Sequence, residues 1–324
     1  MTRLPVSPAL STQRGLTLVE LMISMLLGLI VVGGVLGIFV ANSETNRRTG
    51  DLARIQENAR AAVQSISRSM REAGGNPCGI PPDKGLIIHT ADAPTSSWWS
   101  GGEGFTSTLS GYAGGNGFSA NGNVTMVAGS DAVVTVSGNA FTKAVISDSP
   151  PGGPIIVRTR EGFAANDILF ACSMDRGLGV VFKAGGISAS GANWQINRAT
   201  PFVGTVAAMT ATSLGKVNAE GWFVGENVWG GTSLFRAFIG GGGQPEEIAQ
   251  GVSNMTITYL LSGQDQYVTA DAINDNDWPG VIAAYIELTV SRTGNNETIN
   301  RTVGLTVNLR NRFVLNATDG ETSP

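Results

Sequence analysis

Residues 16–41 form a stretch of 26 residues whose only formal charge is the carboxylate of Glu20. As a helix this stretch would extend roughly 39 Å at about 1.5 Å per residue, enough to cross a hydrocarbon core of roughly 30 Å. We therefore predict a membrane-spanning helix. A carboxylate inside such a helix costs up to about 2.5–3.5 kcal/mol at the bilayer centre, so we expect Glu20 to have a partner that neutralises it.

The helix is predicted to continue beyond the apolar stretch as an amphipathic segment. Apolar side chains recur there at spacings of three and four, at Leu52, Ile55, Ala59, Val63, Ile66 and Met70. The sequence 74–77, Gly-Gly-Asn-Pro, ends the pattern, because glycine admits a left-handed cap and proline does not continue a helix. Residues 16–75 are therefore predicted to be one helix, and 76–324 a globular head.

The head is predicted to be mainly antiparallel β-sheet, which makes the fold class α+β. Residues 76 to about 125 show no periodicity and are interpreted as loop, with Trp98 and Trp99 either on a contact surface or in the core. Short β-type runs follow at 132–136, 154–158, 167–172, 179–182, 234–239, 252–261, 281–291 and 299–309. Alternation is clearest in the last run, where Arg301 is the one exception on the apolar face.

Composition bounds the chemistry of the head. The chain has 324 residues and a net charge of −4, which argues against an electrostatic nucleic-acid binder. Its two cysteines, Cys78 and Cys172, lack the spacing of a zinc site, so they are either one disulfide or two buried thiols. A disulfide closing a loop of about 95 residues would stabilise the fold by roughly 4–5 kcal/mol in the chain-entropy model.

The amino terminus resembles the class III signal of type IV prepilins and type II secretion pseudopilins. A short basic leader with Arg3 and Arg14 precedes Gly15, and the sequence 16–22 reads Leu-Thr-Leu-Val-Glu-Leu-Met, with leucine where phenylalanine is commonest. This resemblance implies a leader at 1–15, cleavage after Gly15 by a prepilin peptidase and N-methylation of Leu16. It also implies that Glu20 sets subunit registry by pairing with the terminal amine of a neighbouring subunit.

Two other interpretations of the amino terminus fit the sequence less well. A secretory signal peptide has a shorter apolar region of about 7–15 residues followed by a small-residue cleavage site, for which 41–43 is a weak candidate. A plain single-span anchor accounts for the length but not for Gly15 or Glu20. Arg3 and Arg14 on one side face Arg47 and Arg48 on the other, so the positive-inside rule does not give the orientation.

The head resembles the PilW family of minor pilins. The segments that carry this resemblance are a strand ending in Cys172, a short strand at 179–182, the pair 234–238 and 247–259, Trp278 before 281–288, and 309–312. The resemblance favours a Cys78–Cys172 disulfide and implies a minor pilin that starts type IV pilus assembly and stays near the tip. Expected partners are other minor pilins, the major pilin, the inner-membrane assembly platform and a large tip adhesin.

The resemblance also implies a location: a single pass through the inner membrane with a periplasmic head, and then the pilus. Two alternatives stay open, namely a J-like minor pseudopilin of type II secretion and a membrane-anchored periplasmic binding domain.

Catalysis, cofactors and metals are not expected. His89 is the only histidine and no Gly-x-Ser-x-Gly elbow accompanies it. The glycines at 240–243 lack the lysine and threonine of a phosphate-binding loop. The oxygen-rich stretch 271–277 departs from the spacing of an EF-hand and is interpreted as a solvated turn rather than a calcium site.

Overall fold

The computed structural model describes residues 17–79, 87–90, 99, 108–120, 122–148, 153–199, 209–239, 243–294 and 297–309. One helix, α1 (Leu18–Glu72), precedes the strands. These are β1 (Ile87–Thr90), β2 (Leu109–Tyr112), β3 (Ala132–Asp148), β4 (Ile155–Val157), β5 (Ile168–Ser173), β6 (Leu178–Ser190), β7 (Asn193–Arg198), β8 (Ser213–Glu226), β9 (Thr232–Phe238), β10 (Glu246–Gln250), β11 (Val252–Leu261), β12 (Val268–Thr269), β13 (Val281–Gly294) and β14 (Glu297–Asn308). The predicted α+β class is confirmed.

Helix α1 ends where its sequence stops favouring a helix. Gly74 adopts the left-handed conformation with φ of 77°, as predicted, and its N–H donates to the carbonyl of Val136 at 2.9 Å. The Gly138 N–H in turn donates to the carbonyl of Gly75 at 2.6 Å. The end of the helix is thus tied to β3 by backbone hydrogen bonds on both sides of the turn.

The chain divides into two compact units, one ending at Arg54 and the other beginning at Ile55, so the second half of α1 belongs to the same unit as the head. Its buried apolar side chains enter the largest core cluster of that unit. They are Ile55, Ala59, Ala62, Val63, Ile66 and Met70. The predicted apolar stripe is confirmed from Ile55 onward, whereas Leu52 is exposed.

A four-stranded antiparallel sheet in the order β12-β11-β13-β14 shares this core with α1. The last β-type run alternates as predicted, with Val303, Leu305 and Val307 on the side of the core and Arg301 exposed. Tyr259 of β11 is fully buried, and its ring meets Trp278 edge to face at 5.0 Å between centroids. Because α1 and this sheet bury one common cluster, each element completes the other's apolar face.

The remaining strands contain a closed six-stranded barrel. Antiparallel pairing runs β8-β5-β6-β7-β4-β3, and β3 pairs with β8 to complete the circuit. A second core cluster, which includes Leu169, Phe182, Ile196 and Leu214, draws on these strands and on the segments between them. The long strands β3 and β6 close the circuit because each changes partner part-way along its length.

Asp131 joins the barrel to the four-stranded sheet. Its Oδ1 accepts a hydrogen bond from the Gly114 N–H and its Oδ2 accepts one from the Ile257 N–H, both at 2.7 Å. Its own N–H donates to the carbonyl of Met255 at 2.8 Å. One carboxylate therefore accepts hydrogen bonds from backbone donors on two separate elements. Such charge-assisted hydrogen bonds are stronger than those between neutral groups.

Part of the strand prediction was wrong. The stretch 76–125, predicted as loop, contains β1 and β2, and strands β7, β8, β10 and β12 were not predicted. Strand β8 was missed because glycines and charged residues interrupt it, at Gly215, Lys216, Glu220 and Gly221. A barrel strand with neighbours on both sides is stabilised by its pairing partners, and local propensity does not report those partners.

Candidate assembly site

The first turn of α1 is built by Thr17 and Glu20. The Thr17 hydroxyl accepts a hydrogen bond from the Glu20 N–H at 3.3 Å, and the Thr17 carbonyl accepts one from the Leu21 N–H at 3.1 Å. Thr17 is thus the N-cap, and Thr-x-x-Glu is a recognisable capping pattern that the sequence-based prediction did not use. Gly15 and Leu16, predicted as the cleavage and N-methylation sites, lie outside the described residues.

The Glu20 carboxylate is exposed, and it makes no hydrogen bond or ion pair with the described part of the chain. The helix around it is apolar on every side and equally exposed, with side chains such as Leu18, Leu29, Ile38 and Phe39 more than two-thirds accessible. By length and composition this helix is able to span a membrane, with a mean hydropathy of 2.7 in its most apolar window. This half of α1 therefore has an apolar surface that needs lipid or a protein partner to cover it, and that surface carries one carboxylate.

Four glycines on this helix leave room for close approach. A Cβ at Gly28, Gly33, Gly34 or Gly37 would meet no atom within 4 Å. Glycine in an exposed helix interior is less favourable than alanine by about 1 kcal/mol, whereas small residues in apolar helices allow neighbouring backbones to pack closely. The surface therefore suits packing against other helices.

Comparison with known proteins agrees with this geometry. Residues 10–36 match the family described as the prokaryotic N-terminal methylation motif. The match supports a protein of the prepilin type, that is, a type IV pilin or a pseudopilin-like protein. The apolar helix together with the motif is consistent with a membrane-anchored pilin. No curated protein and no solved structure matches the chain.

The head is fastened to the end of α1 by a disulfide. Cys78 and Cys172 are bonded, with their Cα atoms 5.4 Å apart. The predicted disulfide is therefore confirmed, and the alternative of two buried thiols was wrong. Cys78 follows the helix and Cys172 lies on β5, and both are buried. Nearby, the Ser213 hydroxyl donates to the carbonyl of Pro77 at 2.8 Å. Trp99 packs in the same cluster, so it fills the core; Trp98 lies outside the described residues.

Three other positions considered in the sequence fall partly outside the described residues. His89 lies on β1, whose side chains are not described, and 240–242 fall outside the described residues. The stretch 271–277 runs through a short 3-10 turn, and the Asn274 amide donates to the Asp277 carboxylate at 2.8 Å. Within the described residues, no three His, Cys, Asp or Glu side chains are grouped as metal ligands would be.

One exposed aromatic was not singled out from the sequence. Trp229 lies in the turn between β8 and β9 and is 79% exposed. Asn227 fixes this turn, because its Oδ1 accepts hydrogen bonds from the N–H groups of Trp229 and Gly231, both at 3.0 Å. The signal for the turn is Asn227 followed by Gly230 and Gly231, the residue types that favour tight turns.

Proposed function

We propose that this chain is a PilW-like minor pilin that primes assembly of a type IV pilus and sits at or near its tip. Its location would be the inner membrane, with a single pass and a periplasmic head, and afterwards the filament. Residues 1–15 would be removed as a leader and Leu16 would carry the methylated terminus. The proposal assigns the chain no catalytic role and no nucleic-acid contact.

The observation that carries the proposal is the exposed apolar half of α1 with Glu20 in its first turn. A carboxylate within the apolar segment would only destabilise an ordinary membrane anchor, because a charge is costly in lipid. In a bundle of identical helix termini, the charge would find a terminal amine on a neighbour. A buried pair of this kind contributes to registry more than to net stability.

The head segments that resemble PilW and pseudopilin J coincide with regular elements. Cys172 lies near the end of β5, and the second short strand is the start of β6. Of the later pair, 234–238 lies in β9 and 247–259 covers most of β10 and β11. The same segments support the alternative, a J-like minor pseudopilin that caps a periplasmic pseudopilus. Under either proposal the partners are related subunits, the prepilin peptidase and an inner-membrane assembly platform; under the first they also include a large tip adhesin.

The deciding experiment combines the mature terminus with a deletion phenotype. Intact mass of the protein from its native host is expected to show loss of 1–15 and one added methyl group on Leu16. Deleting the gene is expected to remove surface pili, with restoration by the wild-type gene. Loss of protein secretion with pili intact would select the pseudopilin instead. An uncleaved terminus, or cleavage after residue 41, would replace both with an anchored or secreted binding domain.

A further inference from the structure

A groove runs between helix α1 and strand β14, the last described strand. Helix α1 from Ile55 to Glu72 forms one wall, and Arg301, Val303 and Leu305 of β14 form the other. It consists of two adjoining depressions, which share Gln64 as a lining residue. We call this feature the α1–β14 groove.

The outer edge of β14 has no partner strand among the residues that the structure describes. The Leu309 N–H donates to the Ile282 carbonyl at 2.9 Å, and β13 and β14 pair without a register shift. Since antiparallel strands alternate which residues bond inward, the N–H and C=O groups of the even-numbered residues point away from β13. Among the described strands, β14 pairs with β13 alone. Outward backbone groups without a described partner include those of Asn300, Thr302, Gly304 and Thr306.

The groove carries a positive charge in a chain that is negative overall. Its lining contains four arginines, Arg60, Arg68, Arg71 and Arg301, against one carboxylate, Glu72. Arg68 is paired with Glu72 at 3.0 Å. Arg60, Arg71 and Arg301 are exposed and make no ion pair within the described residues. Apolar side chains of both walls, including Val63 and Val303, also line the groove.

We propose that the α1–β14 groove is the docking site for an extended, acidic segment of a partner protein. The segment would add as a fifth strand to the open edge of β14. Its backbone would bond the outward N–H and C=O groups, as in other cases of strand addition. Side chains at alternate positions would then face the flank of α1, where carboxylates meet the arginines. Charge complementarity fixes the chemistry of the partner, and the open edge fixes its conformation.

A protective role is the competing explanation for Arg301. A charge that points inward on an edge strand discourages pairing with another chain. That role needs only the one arginine on β14. It does not explain why Arg60, Arg68 and Arg71 line the same groove from α1. It also does not explain why the edge carries no proline at 302, 304 or 306, where a proline would block pairing. The proposal is independent of pilus assembly, because it concerns binding of a peptide by the head.

The test uses the full-length protein in detergent micelles and a fluorescein-labelled nine-residue peptide of alternating glutamate and valine. Fluorescence anisotropy is expected to show saturable binding that weakens as salt rises, since the contacting charges are exposed. The same peptide with lysine in place of glutamate is expected to bind at least tenfold more weakly. Equal binding of the two peptides, or none of either, would overturn the proposal.

Variants separate the charge from the strand edge. Arg60→Glu and Arg301→Glu are each expected to weaken binding at least tenfold, while Arg158→Glu at an exposed site on the barrel leaves it unchanged. Thr302→Pro removes an outward N–H and is expected to abolish binding, whereas Thr302→Val retains it and binds as wild type. If Thr302→Pro is folded by circular dichroism and still binds fully, the peptide is held by charge attraction alone and strand addition is overturned. Self-association lost in Arg301→Glu would make a second copy the occupant and overturn the proposal as stated.

Discussion

At the scale of single residues, Glu20 decides between a filament subunit and a simple anchor. We expect Glu20→Ala to leave leader cleavage intact but to reduce incorporation into filaments at least about tenfold, since loss of one partner of a buried charge pair costs about 3–5 kcal/mol. The measurement is the amount of the protein in sheared pili relative to the amount in the membrane. Glu44→Ala removes a helical carboxylate paired with Arg48 outside the apolar stretch and is the matched control. Wild-type incorporation of Glu20→Ala would remove the registry role.

The disulfide between Cys78 and Cys172 makes a second prediction at this scale. It spans 94 residues, so its removal is expected to lower the free energy of unfolding by about 4–5 kcal/mol in the chain-entropy model. Cys78→Ser and the double variant with Cys172→Ser should lose equal amounts, because either change breaks the same bond. Denaturant unfolding without reductant measures this. A double variant as stable as wild type would show that the bond does not constrain the unfolded chain.

Tyr259 makes a third prediction, which concerns pH. Burial raises the pKa of its hydroxyl, which has no hydrogen-bond partner within the described residues. Because the folded pKa lies above the ordinary value of about 10, the unfolded chain releases this proton above pH 10 while the folded protein keeps it, so the free energy of unfolding falls as pH rises above 10. We expect Tyr259→Phe to be as stable as wild type, or up to about 1 kcal/mol more so, at pH 7, and to lose less stability above pH 10. Thermal unfolding across pH 7–11 tests this, and Tyr267→Phe at an exposed tyrosine controls for the substitution.

At the scale of elements, the second half of α1 is expected to be the least replaceable part of the unit that contains the head. Ile66 is fully buried in the cluster that α1 shares with the four-stranded sheet. Ile66→Ala is expected to lower the free energy of unfolding by about 2–5 kcal/mol, the range for truncating a buried aliphatic side chain. Glu57→Ala, on the exposed face of the same helix, should change it by no more than about 0.5 kcal/mol. Equal effects in chemical denaturation would mean that the helix only rests against the sheet.

Sequence-based prediction succeeded where an element carries its own pattern. Strand β11 was predicted with its observed bounds, Val252–Leu261, because it is rich in β-branched and apolar residues and is bounded by Gly251 and Gly263. Strand β8 was not, because its partners β3 and β5 stabilise residues with weak strand propensity. The barrel follows from pairings such as Val133 with Trp222, residues that are far apart in the chain, and no local signal reports such a pairing.

The functional surfaces likewise differ in how far the sequence predicts them. Glu20 and the apolar stretch were predictable because one continuous segment holds both, and the motif match at 10–36 covers that segment alone. The α1–β14 groove was not predictable, because Arg60 and Arg301 are brought together only by the fold. Arg301 was visible in the sequence as the exception to an alternating strand, but its position beside three other arginines was not.

At the scale of the whole molecule, the unit boundary at Ile55 predicts what can be removed without unfolding the head. Ile55, Val63, Ile66 and Met70 are buried in it and together contribute roughly 6–12 kcal/mol at about 1.5–3 kcal/mol each, comparable to the net stability of a typical domain, about 5–15 kcal/mol. A chain beginning at residue 42 should therefore unfold cooperatively with the midpoint of the full-length protein. A chain beginning at residue 73 keeps the disulfide and all the described strands but should not fold. Circular dichroism and thermal melts of the two purified products, each expressed with an export signal so that the disulfide forms, compare them directly. A cooperative melt of the shorter chain would mean that the sheets complete their core without α1.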